Sequence, residues 1–147
     1  MKYYKGIFRP KNPQKYRGNI HNITYRSSWE LRVMKFLDEN PNILEYSSEE
    51  LIIPYRSPLD GKVHRYYPDF KIKVRDKDGV NTTYVIEVKP AKQSKPPEPQ
   101  KRQTKRYITE VATWGKNQAK WKAASEYCAD RGWKFMVLTE KELGINS

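Results

Sequence analysis

The stretch that decides the fold is residues 63–89, which read VHRYYPDFKIKVRDKDGVNTTYVIEVK. Within its two halves, 63–74 and 81–89, apolar residues recur at every second position, as on one face of a strand. They are Phe70, Ile72 and Val74 in the first half and Tyr84, Ile86 and Val88 in the second. Residues 76–79, Asp-Lys-Asp-Gly, have the composition of a tight hairpin turn. We therefore predict two antiparallel strands joined as a hairpin.

Successive side chains of a strand point to opposite faces, so the apolar residues of this hairpin restrict its register. We consider the register that pairs Phe70 with Ile86, in which Ile72 faces Tyr84 on the same apolar side.

The same register brings two carboxylates, Asp69 and Glu87, together on the second face of the hairpin. Like charges directly across a ladder repel each other and destabilise a sheet. A bound divalent cation would offset this repulsion, since Asp and Glu oxygens suit Mg²⁺ or Mn²⁺. We therefore predict a metal site formed by Asp69 and Glu87, with Lys89 at its edge.

These residue types together suit the hydrolysis of a phosphodiester. A metal ion would polarise a phosphoryl oxygen and lower the pKa of a bound water. Lys89 would orient or deprotonate the attacking water and stabilise charge on the phosphate. Glu30, on a predicted helix upstream, would supply a further metal ligand or hold a water molecule on the ion.

Further elements are predicted on both sides of the hairpin. A helix begins at Ser27 or Ser28, both good N-caps, and ends near Asn40-Pro41. Its broad apolar side consists of Trp29, Val33, Met34, Phe36 and Leu37.

The remaining elements complete an α/β domain with a mixed central sheet flanked by helices. They are short strands at 43–46 and 51–55, a helix from about Lys105 to Asp130 that Gly115 could interrupt, and a strand at 133–138. The chain length of 147 residues suits one domain. We divide it into a basic N-terminal arm at 1–24 and a nuclease domain at 25–147, with a mobile, proline-rich basic loop at 90–103.

Basic residues concentrate in two segments of a chain whose net charge is +12. Residues 1–29 hold seven Lys or Arg and no acidic residue, and residues 89–106 hold seven with one acidic residue. Such segments track phosphate backbones by releasing counterions, and aromatic residues interspersed in the first favour nucleic acid over a solvated tail. Nucleic acid is thus the predicted partner, with anionic membranes and acidic proteins as alternatives. The predicted nucleic-acid contacts are Arg9, Lys11, Lys15, Arg17, Arg26, Lys92, Lys95, Lys101 and Arg102.

Several classes of protein are disfavoured by the composition. No apolar run is long enough for a membrane span, and no secretory signal is expected at the basic start. No glycine-rich phosphate loop is present, so no nucleotide cofactor is predicted. One cysteine, Cys128, and two histidines argue against zinc and favour an intracellular protein.

The motif Pro68-Asp69 followed by Glu87-Val88-Lys89 resembles that of the PD-(D/E)XK nuclease superfamily. The runs YRSSWE (25–30), YYPDF (66–70) and IEVK (86–89) resemble its TnsA-type transposon nuclease branch. The run FRPKNPQKY (8–16) resembles head completion nucleases of T-even-type tailed phages.

This resemblance implies a restriction-endonuclease-like αβββαβ core and a metal-dependent DNA endonuclease. It implies Glu30, Asp69, Glu87 and Lys89 as active-site residues, with the backbone carbonyl of Val88 as a further metal ligand. It also implies a role in head completion, after DNA packaging and before tail joining. Phage head or neck proteins would then be partners, and the host cytoplasm during assembly, or the virion, would be the location.

Two other classes remain open from the sequence. One is a non-catalytic DNA-binding protein of head closure that uses the carboxylates for a structural ion. The retained Lys89 disfavours it, because a structural cation gains nothing from a neighbouring ammonium. The other is a junction-resolving or transposon-type nuclease, which would need a dimer.

Three accessory residues are weaker candidates. Asn117 and Gln118 lie on the second helix, where related nucleases often place a polar active-site residue, although a solvated helix face explains them as well. His64 could contact phosphate, but a lone histidine near a turn is more often structural or exposed.

Overall fold

The computed structural model describes residues 3–144, with side chains from residue 5 onward. The ends of the predicted arm and domain, residues 1–2 and 145–147, lie outside this range. The elements in chain order are β1 (Tyr3–Ile7), β2 (Thr24–Ser27), α1 (Ser28–Glu39), β3 (Ile43–Ser48), β4 (Ile53–Arg56), β5 (Val63–Tyr66), β6 (Phe70–Arg75), β7 (Asn81–Val88), α2 (Lys105–Asp130), β8 (Lys134–Leu138) and α3 (Glu140–Leu143). Single turns of 3-10 helix lie at Pro13–Lys15 and Ala91–Ser94.

A four-stranded mixed sheet with the order β3-β6-β7-β8 forms the centre of the domain. The β3–β6 and β6–β7 pairs are antiparallel, and β8 joins β7 in parallel after the crossover through α2. Together with α1, these elements give the predicted αβββαβ order. The register pairs Phe70 with Ile86 and Ile72 with Tyr84, which confirms the predicted hairpin.

Residues 63–74 form two strands in different sheets, so the prediction of a single strand is wrong. β5 ends at Tyr66 and pairs with β4, whereas β6 begins at Phe70 and pairs with β3 and β7. Pro68 accounts for the break, because it has no N–H to donate and restricts the preceding residue. Asp69 therefore lies just outside the β6–β7 ladder. The hairpin pattern had indicated that Asp69 is a ladder partner of Glu87, and the structure differs from the prediction at this point.

Helix α1 begins where the sequence predicts. Ser27 is its N-cap, and the hydroxyl oxygen of Ser27 accepts a hydrogen bond from the Glu30 N–H. Trp29, Val33, Met34 and Leu37 are buried against the sheet. Phe36 was expected on the same apolar side but is 57% exposed, because at 100° per residue it lies at the margin of the buried stripe, beyond Trp29.

The sheet separates two hydrophobic cores. The first lies on the α1 side and contains Phe70, Ile72, Ile86 and Val88 together with the buried residues of α1. The second lies on the α2 side and contains Val85, Ala124, Cys128 and, from the β4–β5 pair, Ile53, Tyr55 and Tyr66. The β4–β5 pair therefore packs against α2. This packing places Tyr66 near the end of β7.

The segment predicted as a basic arm contributes apolar side chains to the first core. β1 pairs antiparallel with β2, and Phe8, Tyr16 and Ile23 are buried. The ammonium of Lys15 donates to the carbonyl oxygens of Leu37, Asp38 and Asn40 at the C-terminal end of α1. These carbonyls have no partner within the helix, so Lys15 serves as a cap.

Helix α2 spans the predicted residues without interruption at Gly115 and ends before Gly132, which adopts a positive φ of 72°. The chain after β8 forms the short helix α3, because Thr139 and Glu142 make a reciprocal capping box. No helix within residues 3–144 has the length and apolar character needed to cross a membrane.

Candidate active site

The residues of the predicted metal site converge at the end of the β6–β7 hairpin that lies opposite its turn. Asp69 immediately precedes β6, Glu87 is the penultimate residue of β7, and Lys89 follows β7. The N–H of Lys89 donates to the carbonyl oxygen of Leu138 at 2.9 Å, which holds it beside β8. The structure thus brings Asp69, Glu87 and Lys89 together.

Asp69 is held by the backbone on both sides. Its Oδ2 accepts a hydrogen bond of 2.7 Å from the Val88 N–H, and its carbonyl oxygen accepts one of 3.1 Å from the Glu49 N–H. Burial raises the pKa of the Asp69 carboxyl well above its usual range, and the charge of Glu87 raises it further. Asp69 is therefore a fixed carboxylate whose ionised form is unfavourable without a cation.

Glu87 is the more deeply enclosed of the pair, with 7% of its surface exposed. Its Oε1 accepts a hydrogen bond of 3.0 Å from the Tyr66 hydroxyl, and its Oε2 lies 3.6 Å from the Lys89 Nζ. Burial raises the pKa of Glu87, while Lys89 and Tyr66 act in the opposite direction. The Tyr66 contact depends on the break at Pro68, which places β5 in a separate sheet.

Glu30 lies in the first turn of α1, at the margin of this carboxylate pair. The Ser27 hydroxyl lies 3.4 Å from its Oε2. Burial raises the pKa of Glu30, and the charge of Glu49 adds to the rise. The charge of Glu30 also raises the pKa of Asp69, which indicates that the two carboxylates are neighbours.

The carboxylates of Asp69 and Glu87 form the donor set that a divalent cation would use at this site. Within residues 3–144, no three or more His, Cys, Asp or Glu side chains converge as ligands of one ion. Two carboxylates nevertheless suit Mg²⁺, which is commonly bound through one or two carboxylates and takes its other ligands from water and substrate phosphate. The buried pair Asp69 and Glu87 fits this pattern. The assignment of the Val88 carbonyl as a ligand and of Glu30 as a ligand or water holder stays a prediction.

A basic residue that the sequence interpretation missed, Lys120, also lies at this site. Its Nζ lies over the rings of Tyr66 and Tyr55, with centroid distances of 5.5 Å and 5.8 Å. Burial lowers the pKa of Lys120, and the charge of Lys116 lowers it further, while Glu87 acts in the opposite direction. The spacing of Lys116 and Lys120 by one helical turn is the signal that could have indicated it.

The three accessory residues are dispersed. Asn117 is buried in α2, one turn before Lys120, whereas Gln118 is exposed. The Nε2 of His64 lies 2.8 Å from the Asp60 Oδ2 on the exposed β4–β5 hairpin. The local partner of His64 supports a structural role in the turn.

The predicted DNA-contacting residues fall into two groups. Those of the first segment mostly have partners within the domain. Lys11 pairs with Glu39 and Arg17 pairs with Glu45, both at 3.0 Å. Arg26 pairs with Glu49, Lys15 caps α1, and Arg9 is exposed. Those of the second segment, Lys92, Lys95, Lys101 and Arg102, are all exposed. The second group begins three residues after Lys89, and its start is held by the Glu140 carboxylate, which accepts from the Ala91 N–H at 2.9 Å.

The buried carboxylate pair should lower the stability of the protein at neutral pH when no metal is added. Because the folded-state pKa of Asp69 is raised, its carboxyl stabilises the folded protein fully only below the ordinary pKa of 3.8, where it is protonated. This stabilisation is lost as the pH rises through the folded-state pKa. We expect Asp69→Asn, whose amide oxygen can still accept from Val88, to raise the free energy of unfolding at pH 7 by about 1–2 kcal/mol.

Urea unfolding in EDTA at pH 7 and near pH 3.5 measures this effect. The gain should shrink at the lower pH, where the wild-type carboxyl is protonated. Asp78→Asn at the exposed turn is the matched control and should change little at either pH. An equal stability of Asp69→Asn and wild type at pH 7 would contradict the expected repulsion.

Comparison with known proteins agrees with this fold. Residues 40–140 match the family model of the TnsA-like endonuclease N-terminal domain. The chain therefore belongs to the TnsA-like endonuclease family, which confirms the resemblance seen in its motifs. It is also similar to the head completion nuclease of Enterobacteria phage T4. The two are 42% identical over 144 residues, which cover 95% of this chain and 93% of the T4 protein.

Proposed function

We propose that this protein is a Mg²⁺-dependent endodeoxyribonuclease that hydrolyses phosphodiester bonds of double-stranded DNA during phage head completion. The observation that carries the proposal is the buried pair Asp69 and Glu87 with Lys89 beside it, in a chain of the TnsA-like endonuclease family. Mn²⁺ would substitute for Mg²⁺, since the oxygen ligands suit both ions.

The side chains of the site have complementary tasks in this reaction. Asp69 and Glu87 would hold the cation, which when bound supplies an electrophile for the phosphoryl oxygen and an acidified water. The Val88 N–H fixes Asp69 and the Tyr66 hydroxyl fixes Glu87, so both carboxylates are oriented before substrate arrives. This orientation reduces the reorganisation needed in the transition state.

Lys89 is the member of the set that can reach substrate. Its side chain is 28% exposed, against 9% for that of Glu87. From this position its ammonium would neutralise charge that develops on the phosphate or orient the attacking water. The exposed basic residues of loop 90–103 would contact the flanking DNA backbone with little base readout.

The role in head completion is proposed from the similarity to the T4 protein. That relative is named a head completion nuclease, and it matches this chain over nearly its whole length. The proposal implies action in the host cytoplasm during phage assembly, with head or neck proteins as partners. We expect expression of this chain to restore plaque formation to a T4 mutant that lacks its head completion nuclease. Failure to do so by a protein that cuts DNA in vitro would contradict the shared role.

The nuclease activity is tested on covalently closed supercoiled plasmid, which an exonuclease cannot degrade. Wild type should produce nicked and linear DNA with Mg²⁺ or Mn²⁺ and none in EDTA. Glu87→Gln should lose cleavage and also lose the increase in melting temperature that Mg²⁺ gives the wild type. Absence of cleavage with every metal, while DNA is still bound, would instead favour the non-catalytic head-closure protein.

A further inference from the structure

Lys120 occupies an unusual position for a lysine on a surface helix. It lies on the face of α2 that packs over the β4–β5 pair, and it is half-buried there. Its ammonium lies within about 6 Å of two tyrosine ring centroids, the range in which a cation is attracted to an aromatic face. Tyr66 and Tyr55 therefore fix the direction in which this ammonium points.

The charge of Lys120 is not matched by an ion pair. Among residues 3–144, carboxylates pair with other cations of the domain, including Lys89, but none pairs with Lys120. The carboxylates that face it, Glu87 and Asp69, lie at the metal site, where Glu87 is already engaged by Tyr66 and Lys89. The other charges that face it are positive and come from Lys116 and Lys89.

We propose that Lys120 binds a non-bridging oxygen of the DNA phosphate at or next to the scissile bond, from the α2 side of the active site. This inference rests on the proposed function and adds a phosphate-binding residue to it. A half-buried cation with no carboxylate partner is unfavourable in the free protein, so the arrangement is suited to an anion that arrives from outside.

The position of the tyrosines supports this assignment. Tyr66 contacts both Glu87 and Lys120, because its hydroxyl donates to Glu87 while its ring lies under the Lys120 ammonium. An ammonium held in this way keeps a defined place relative to the metal-binding carboxylates. Lys116, one turn earlier on the same helix face, extends the positive surface away from the site along α2.

The test compares Lys120→Met with Lys120→Arg and with Lys122→Met, an exposed residue two positions along the same helix. DNA affinity is measured without metal over a series of salt concentrations, and plasmid cleavage is measured at saturating DNA with Mg²⁺. Lys120→Met should lower the cleavage rate by about 10–100-fold. It should also reduce the slope of log affinity against log salt by about one.

Lys120→Arg should recover most of both quantities, because it keeps the charge and the ring contacts. Lys122→Met should leave the cleavage rate at saturating DNA unchanged. Wild-type values for Lys120→Met in both measurements would overturn the proposal. A loss of cleavage that Lys120→Arg does not recover, accompanied by a lower urea midpoint, would indicate a packing role and would also overturn it.

Different outcomes test the phosphate contact of Lys120 and the nuclease activity of the protein. If the wild type cuts no DNA with any metal, the nuclease assignment fails, but the salt slope measured without metal still decides whether Lys120 contacts phosphate. If the wild type cuts DNA and Lys120→Met changes neither slope nor rate, the nuclease assignment stands and the phosphate contact of Lys120 is excluded.

Discussion

Lys89→Met is expected to lower the rate of DNA cleavage at saturating DNA and Mg²⁺ by at least about 10³-fold. Methionine keeps the length and apolar stem of the side chain but removes its ammonium. The loss follows from the place of Lys89, whose Nζ lies 3.6 Å from the Glu87 Oε2 while part of its side chain remains exposed. Lys89 is therefore a cation beside the carboxylate pair that is placed to touch the reacting phosphate.

The size of this effect separates a role in the chemical step from general DNA attraction. Loss of one backbone contact among many would weaken binding and be overcome at saturating DNA. Lys77→Met provides the matched control, because Lys77 is exposed in the turn at the opposite end of the same hairpin. It should cut DNA at the wild-type rate. A rate for Lys89→Met within tenfold of wild type would place the catalytic cation elsewhere.

Asp38→Ala is expected to lower the free energy of unfolding by about 3 kcal/mol, the largest single effect on stability that we predict. Asp38 is 1% exposed. Its carboxylate accepts hydrogen bonds from the Lys11 N–H at 2.9 Å, the Asn12 N–H at 3.2 Å and the Tyr46 hydroxyl at 2.9 Å. Removal of this acceptor leaves three donors without a partner, and the N-terminal segment loses part of its attachment to α1, while the Lys15 contacts remain.

Urea unfolding and thermal melting measure this loss, and about 3 kcal/mol corresponds to roughly 6–12 °C for a chain of this size. Glu39→Ala is the control on the neighbouring residue. It removes only the exposed ion pair of Glu39 with Lys11, so it should lower the free energy of unfolding by less than about 1 kcal/mol. A change no larger for Asp38→Ala than for Glu39→Ala would show that the buried hydrogen bonds do not hold the segment.

Composition suggests that both basic segments bind DNA, but the basic residues of the first segment, residues 1–29, mostly have partners within the domain. Lys11, Lys15, Arg17 and Arg26 each contact an acceptor of the domain itself. Their charges are partly compensated, whereas Lys92, Lys95, Lys101 and Arg102 are exposed in the segment that follows Lys89 in the chain. The second segment and the Lys116–Lys120 face of α2 are therefore the stronger candidates for contacts beside the cleaved bond.

Much of the central sheet was predictable because its signals are local. A strand presents alternate residues to one face, so the apolar residues of β6 and β7 are compatible with the register that pairs Phe70 with Ile86, and the structure has it. The helix bounds were also predictable, since Ser27 and Gly132 have strong preferences for the ends of helices. The Pro-Asp and Glu-x-Lys motif indicated which end of the hairpin carries the site.

The parts that the sequence did not predict depend on contacts between residues far apart in the chain. Pro68 marks a break in the sequence, but it does not show that the chain leaves one sheet after Tyr66 and enters another at Phe70. Only the packing of β4–β5 against α2 places the Tyr66 hydroxyl on Glu87. Asn117 and Gln118 are equivalent candidates in the sequence. The packing of α2 buries Asn117 and leaves Gln118 exposed.

The sequence by itself thus determined the central hairpin, the order of the core elements, the family and the residues Asp69, Glu87 and Lys89. Tertiary structure alone decided that Lys120 joins them and that Asp38 and Lys15 attach the N-terminal segment to α1. The physical reason is the range of the interactions involved. Periodicity and capping act within a few residues, whereas the face that a helix presents to a sheet is set by the fit of two surfaces from distant parts of the chain.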